Sequence, residues 1–152
     1  MITNIISEQK LDTIKSYIAR YEKIAITCHV SPDGDAIGAS LGLYHFLQEM
    51  DKQATVVIPD MPPRNLTFLS GMRHIIIYTQ GAEKAEAALK NAELIFALDF
   101  NALNRIDKLA SAFQEAKAAK VLIDHHLAPE NFCDVTVSHP KISSTSELIF
   151  RL

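Results

Sequence analysis

Three times in this chain an apolar run of strand length ends abruptly in an acid or an imidazole, and few folds accommodate that pattern. The first case is Ile24–Ser40, IAITCHVSPDGDAIGAS, where Ile24, Ala25 and Ile26 lead into His29, Asp33 and Asp35 with only Gly34 between the acids. The others are LIFALD, Leu94–Asp99, and VLIDHH, Val121–His126. A half-buried strand that delivers an imidazole and two carboxylates onto a tight turn is a poor way to make a loop. It is a good way to grip a divalent metal.

Helix-forming segments alternate with these runs. Ser7–Tyr21 carries Leu11, Ile14, Tyr17 and Ile18 at helical spacing. After the first strand, Ile24–Cys28, a helix is expected from Asp35, placed to cap it, to about Met50. Its buried stripe is Ala39, Leu43, Phe46, Leu47 and Met50, while Gly38, Ala39 and Gly42 keep one face slim for close approach to the sheet. Ala54–Ile58 reads as a second strand, followed by a break at Pro59, Pro62 and Pro63 and a weak helical turn around Asn65–Leu69. His74–Tyr78 reads as the third strand and Leu94–Leu98 as the fourth, with an Ala/Glu/Lys-rich helix, Ala82–Lys90, between them. A helix with the stripe Leu103, Ile106, Ala110 and Phe113 leads to a fifth strand, Lys120–Ile123. Phe132–Val137 suits an added edge strand, and Ser144 with Glu147 forms a capping box that should open a last helix.

Such alternation predicts an α/β fold: a five-stranded or slightly larger, mainly parallel sheet with helices on both faces. The first strand should be central, beside the strand that ends at Asp99. Ligands of such sheets gather at the carboxyl ends of strands, near the point where strand order reverses. All three acid or imidazole clusters lie at carboxyl ends.

Composition narrows the functions. The 152 residues make one domain with room for a proper core, and the net charge of −3 argues against broad sequence-independent duplex binding. A short phosphorylated substrate stays open, because bound metals would supply positive charge. The N-terminus is too polar for a signal-peptide core, and the longest charge-free run, Ala36–Gln48, is shorter than the roughly 18 apolar residues of a membrane span. Cys28 and Cys133, the two cysteines, fit reduced thiols in a cytoplasmic protein. His45, His74 and His139 read as structural.

Taken alone, Asp33 and Asp35 could be helix-start acids favoured by the macrodipole. The set changes that reading: His29, Asp33, Asp35, Asp99, Asp124, His125 and His126 all stand just past strands that should lie side by side. Carboxylates converging in one crevice repel each other unless a cation sits among them. Carboxylate and imidazole donors without thiolate point to Mn²⁺, Mg²⁺ or Zn²⁺, and away from a structural zinc site. Six or more candidate ligands are too many for one ion, so two ions sharing a carboxylate is the economical arrangement. Pairs of ions about 3.5–4 Å apart activate water for in-line phosphoryl displacement.

HVSPDGDA, the lone Asp99 after its strand, and DHH at Asp124–His126 resemble the first three motifs of the DHH phosphoesterase superfamily. HVSPDGDAIGAS and SSTSELIF are most similar to its nanoRNase/pAp-phosphatase branch, and the resemblance covers essentially the whole chain as the family's N-terminal domain. It implies one Mn²⁺ held by His29, Asp33 and Asp99, and another by Asp35, Asp99 and His125, with Asp99 as the bridge. His126 would face the scissile phosphate, Asp124 would orient an imidazole, and Arg105 is a weaker candidate for substrate contact. The implied activity is a Mn²⁺-dependent exonuclease-type hydrolase acting on short single-stranded oligonucleotides or 3′-phosphoadenosine phosphates.

The family's fourth motif and its separate C-terminal substrate-binding domain are not found in these 152 residues. The expectation is therefore a catalytic half that is nearly inactive by itself and binds at most one ion firmly. The rival expectations are a polyphosphate or pyrophosphate hydrolase of the same superfamily and a non-catalytic metal- or nucleotide-binding module.

Overall fold

The computed structural model describes residues 5–152. Its core is six parallel strands: β1 (Lys23–Cys28), β2 (Gln53–Ile58), β3 (Ile76–Ile77), β4 (Leu94–Leu98), β5 (Ala119–Asp124) and β6 (Val135–Ser138). They lie in the order β3-β2-β1-β4-β5-β6. The chain winds outward from β1 through β2 to β3, then returns to place β4 on the other side of β1. The reversal falls between β1 and β4, as expected, and the former edge candidate is the parallel strand β6.

Burial on both faces explains why the central strands read as continuous apolar runs. Alternate residues serve two cores. Ile24, Ile26, Leu94, Phe96, Leu98, Val121 and Ile123 face α1 (Glu8–Arg20), α2 (Gly34–Glu49) and α5 (Thr145–Phe150). Ala25, Ile95, Ala97 and Leu122 face α3 (Ala82–Lys90) and α4 (Leu109–Glu115). Truncating the fully buried Phe96 to alanine should cost about 3–5 kcal/mol.

Several local expectations give way. Asp33, not Asp35, caps α2, its carboxylate accepting from the amides of Asp35 and Ala36 at 3.0 Å each. Phe46 and Met50 do not belong to the buried stripe; they are 49% and 44% exposed, at the far end of α2. The slim glycine face meets α5 rather than the sheet: a Cβ on Gly38 would stand 3.1 Å from Ser146 Oγ. The third strand shrinks to Ile76–Ile77 between 3₁₀ turns at Met72–His74 and Tyr78–Gln80, because β3 is an edge with a single partner. Leu103 and Ile106 sit in a 3₁₀ turn, Leu103–Ile106, separate from α4. Ser144 does cap α5, accepting from Glu147 N at 3.0 Å, but the Glu147 carboxylate turns to Ser143 and Arg151. Among the described residues no helix is long and apolar enough to cross a membrane.

Candidate metal centre

Strand register sets the first row of the site. Cys28 pairs with Leu98, and Leu98 with Ile123, so His29, Asp99 and Asp124 follow in one row at the carboxyl edge of the sheet. Asp99 is the hub. Its backbone adopts the left-handed region at φ 65°, a conformation aspartate tolerates better than most residues. Its amide still donates to Ile123 O at 3.1 Å. The chain turns sharply there, and the carboxylate, only 1% exposed, lies between two imidazoles.

On one side, Asp99 Oδ2 stands 3.4 Å from His29 Nε2, with Asp33 Oδ1 3.9 Å from the same nitrogen. On the other, Asp99 Oδ1 stands 3.5 Å from His125 Nε2, which is also 3.5 Å from Asp35 Oδ2. His29 Nδ1 lies 2.6 Å from Val30 O, and His125 Nδ1 3.2 Å from Ile142 O. A carbonyl only accepts, so each Nδ1 carries the proton and each Nε2 presents a lone pair toward carboxylate oxygen. Lone pairs aimed at anionic oxygens across about 3.5 Å call for a shared cation. At His29 the hydrogen bond to Asp99 pushes the pKa up, burial opposes it, and Val30 O and Asp33 add to the rise.

Among the described residues two groups of donors could hold an ion, His29–Asp33–Asp99 and Asp99–His125–His126; within each, one donor atom per residue lies within 4.8 Å of the others. Asp35 stands beside the second group through His125. His126 is otherwise engaged. Its Nδ1 is 2.6 Å from Asp124 Oδ1, its amide donates to Asp124 Oδ2 at 3.1 Å, and its side chain is 42% exposed. The fully buried Asp124 thus fixes the ring and leaves Nε2 for another partner. The seven clustered candidates are therefore neighbours. Arg105 is exposed on the 3₁₀ turn Leu103–Ile106, and its carbonyl accepts from Val30 N, next to His29, at 2.7 Å.

Sequence reasoning missed the part played by the SSTSE segment. Asp35 Oδ1 accepts from Ser146 N and Oδ2 from Thr145 N, each at 2.8 Å, and Thr145 Oγ1 donates to Asp99 Oδ1 at 2.8 Å. Burial raises the Asp35 pKa, but the hydrogen bonds from Ser146 and Thr145, helped by His125, outweigh it and hold the carboxyl below its ordinary value. The capping pattern marked where α5 begins. Its contacts with residues 110 positions away left no local trace.

A doubly wound parallel sheet with acids and imidazoles gathered at its switch point outlines an α/β fold whose crevice could hold a metal ion. The chain belongs to the DHH family of phosphoesterases: the model of the DHH family, N-terminal domain, matches residues 23–152. A structure of an exopolyphosphatase-related protein from Bacteroides fragilis superposes with a TM-score of 0.97 at 47% identity, covering 99% of this chain and 44% of that one. The bifunctional oligoribonuclease and PAP phosphatase NrnA of Thermus thermophilus is 33% identical over 126 residues, 83% of this chain and 35% of that protein. The cyclic-di-AMP phosphodiesterase GdpP of Geobacillus thermodenitrificans is 25% identical over 147 residues, 91% of this chain and 22% of that protein. The chain thus spans about a third or less of these two curated relatives.

Proposed function

We propose that this chain is the N-terminal catalytic domain of a Mn²⁺-dependent phosphoesterase that hydrolyses short oligonucleotides or 3′-phosphoadenosine phosphates. Asp99 carries the reading, because its two oxygens face two separately oriented imidazoles. The donors fit: oxygen and imidazole nitrogen without thiolate suit Mn²⁺, and Cys28, the nearest thiol, is buried with its pKa pushed up. His29, Asp33 and Asp99 would hold one ion, and Asp35, Asp99 and His125 the other. Bound divalent ions supply charge neutralisation and water activation at such sites.

The chain's own residues do the rest. Val30 O and Ile142 O hold the ligand imidazoles in the tautomer that exposes Nε2. Asp124 holds His126 so that its Nε2 can hydrogen-bond a phosphoryl oxygen or give a proton to the leaving oxygen. Substrate grip and exclusion of water belong to a C-terminal domain beyond these residues, so the isolated chain should be nearly inactive. Two free thiols suit a reducing compartment, and we place the protein in the cytoplasm.

The relatives support nucleotide substrates, since NrnA and GdpP are both named for them. The exopolyphosphatase-related neighbour, at 47% identity, favours a second reading, hydrolysis of polyphosphate or pyrophosphate. Assaying the full-length gene product with Mn²⁺ on di- to pentanucleotides, pAp, polyphosphate and pyrophosphate separates the two. Turnover confined to the inorganic set would select the second reading, and turnover unchanged by Asp99→Ala would remove both.

A further inference from the structure

We propose that Thr145 is the positioning residue of Asp99: its hydroxyl sets the rotation of that carboxylate so that one oxygen serves each imidazole. The inference rests on the reading that Asp99 is shared between two cation sites. Thr145 is fully buried, and so, within 1%, is Asp99. Water therefore does not replace a lost donor there, and the hydrogen bond of 2.8 Å from Oγ1 to Asp99 Oδ1 is made inside the protein. The torsion that turns a carboxylate has broad minima, and the left-handed backbone at Asp99 does not choose among them. The hydroxyl does. It engages one lone pair of Oδ1 and leaves the other for the His125 side at 3.5 Å, while Oδ2 faces His29 at 3.4 Å.

The same residue anchors the second acid. Thr145 N donates to Asp35 Oδ2 at 2.8 Å, so one position on α5 ties together carboxylates from the first turn of α2 and the end of β4. Replacing Thr145 by Val leaves that amide in place and removes the hydroxyl. The two functions can therefore be separated by experiment.

The test is calorimetric titration of Mn²⁺ into the chain and its Thr145→Val, Thr145→Ser and Asp99→Ala variants, with thermal melts of each metal-free protein. Thr145→Val keeps the bulk and loses the donor; Thr145→Ser keeps the donor and loses a methyl. The expected result is an affinity at least about tenfold weaker for Thr145→Val and near wild type for Thr145→Ser, although both melt earlier. A merely structural role would make affinity follow the melting temperature in both variants, and that outcome overturns the proposal. If Thr145→Val does not fold, Thr145→Ala against Thr145→Ser carries the same contrast, since both lack the methyl. Wild-type affinity in Thr145→Val alongside lost binding in Asp99→Ala overturns the role of Thr145 and leaves the shared-site reading standing. No Mn²⁺ binding by the wild type, or undiminished binding by Asp99→Ala, overturns both.

Discussion

The two sides of Asp99 are built from different ranges of sequence. On the near side, His29, Val30 and Asp33 lie within five residues, and only Asp99 is brought from elsewhere. On the far side, Asp35, Asp99, His125, Ile142 and Thr145 arrive from four separate stretches, and every contact among those stretches is tertiary. The near side is a strand end and a helix cap; the far side exists only once α5 has docked on α2. A local motif can therefore announce one half of a shared centre, whereas the other half is a property of the fold.

The largest expected effect breaks both sides at once. Asp99→Asn keeps the shape and removes the charge that the two imidazoles share. Mn²⁺ affinity should fall by more than the roughly 10–100-fold that loss of an outer-shell partner costs. Calorimetry checks it, and survival of either binding event would mean that the two sides do not depend on a common carboxylate.

Asp124→Asn should come next, and it tests a residue that belongs to neither side. In the full-length protein, turnover should drop by about 10–100-fold, as for a lost orienting partner, with Mn²⁺ affinity unchanged. An equal drop in affinity would instead make His126 a ligand alongside Asp99 and His125, the grouping that distance alone allows.

What was legible in the sequence follows the same division. The central strands and the cluster at their ends could be read because burial on both faces demands unbroken apolar runs and because every acid stood just past one. The near-side tautomer depends on a neighbouring carbonyl, Val30 O. The clasp of Asp35 could not be read, since its partners lie 110 and 111 residues away and offer backbone amides that any residue type supplies. The cap of α2 was misassigned by two residues because Asp33 and Asp35 are equally good capping types. Edge elements such as β3 failed for the opposite reason: with one partner strand and half-buried side chains, HIIIY carries β-branched residues that nothing forces into a full strand.

Stability should show the contrast in smaller amounts. Asp33→Asn swaps one good cap for another and should change little. Asp35→Asn presents an amide nitrogen to one of two backbone donors and should cost about 1–3 kcal/mol by denaturant titration. The pH trends should run in opposite directions. Asp35 titrates below its ordinary 3.8 when folded, so its stabilisation is complete above that value and disappears as pH falls through the folded pKa. His29 titrates above its ordinary 6.5 in the metal-free protein, so its contribution is complete below that value and disappears as pH rises through the folded pKa. Wild type should thus lose its advantage over Asp35→Asn in acid and over His29→Gln in mild base. Parallel trends in the two comparisons would show that the sides are not electrostatically distinct.

Arg105 carries the smallest effect and the finest test of the near side. Its carbonyl accepts from Val30 N, and Val30 O in turn orients His29, so the backbone at Arg105 supports the imidazole at one remove. Arg105→Ala leaves that carbonyl in place, and removing an exposed side chain should change stability by no more than about 0.5 kcal/mol. An exposed charge pairing with a substrate phosphate contributes up to about 1 kcal/mol. The full-length variant should therefore show KM raised by up to about fivefold with kcat unchanged. The difference should fade at high ionic strength, because exposed charges are screened. An unchanged KM would return Arg105 to the surface, whereas a lower kcat would place its guanidinium at the reacting phosphate and extend the near side beyond the three donors proposed to hold an ion.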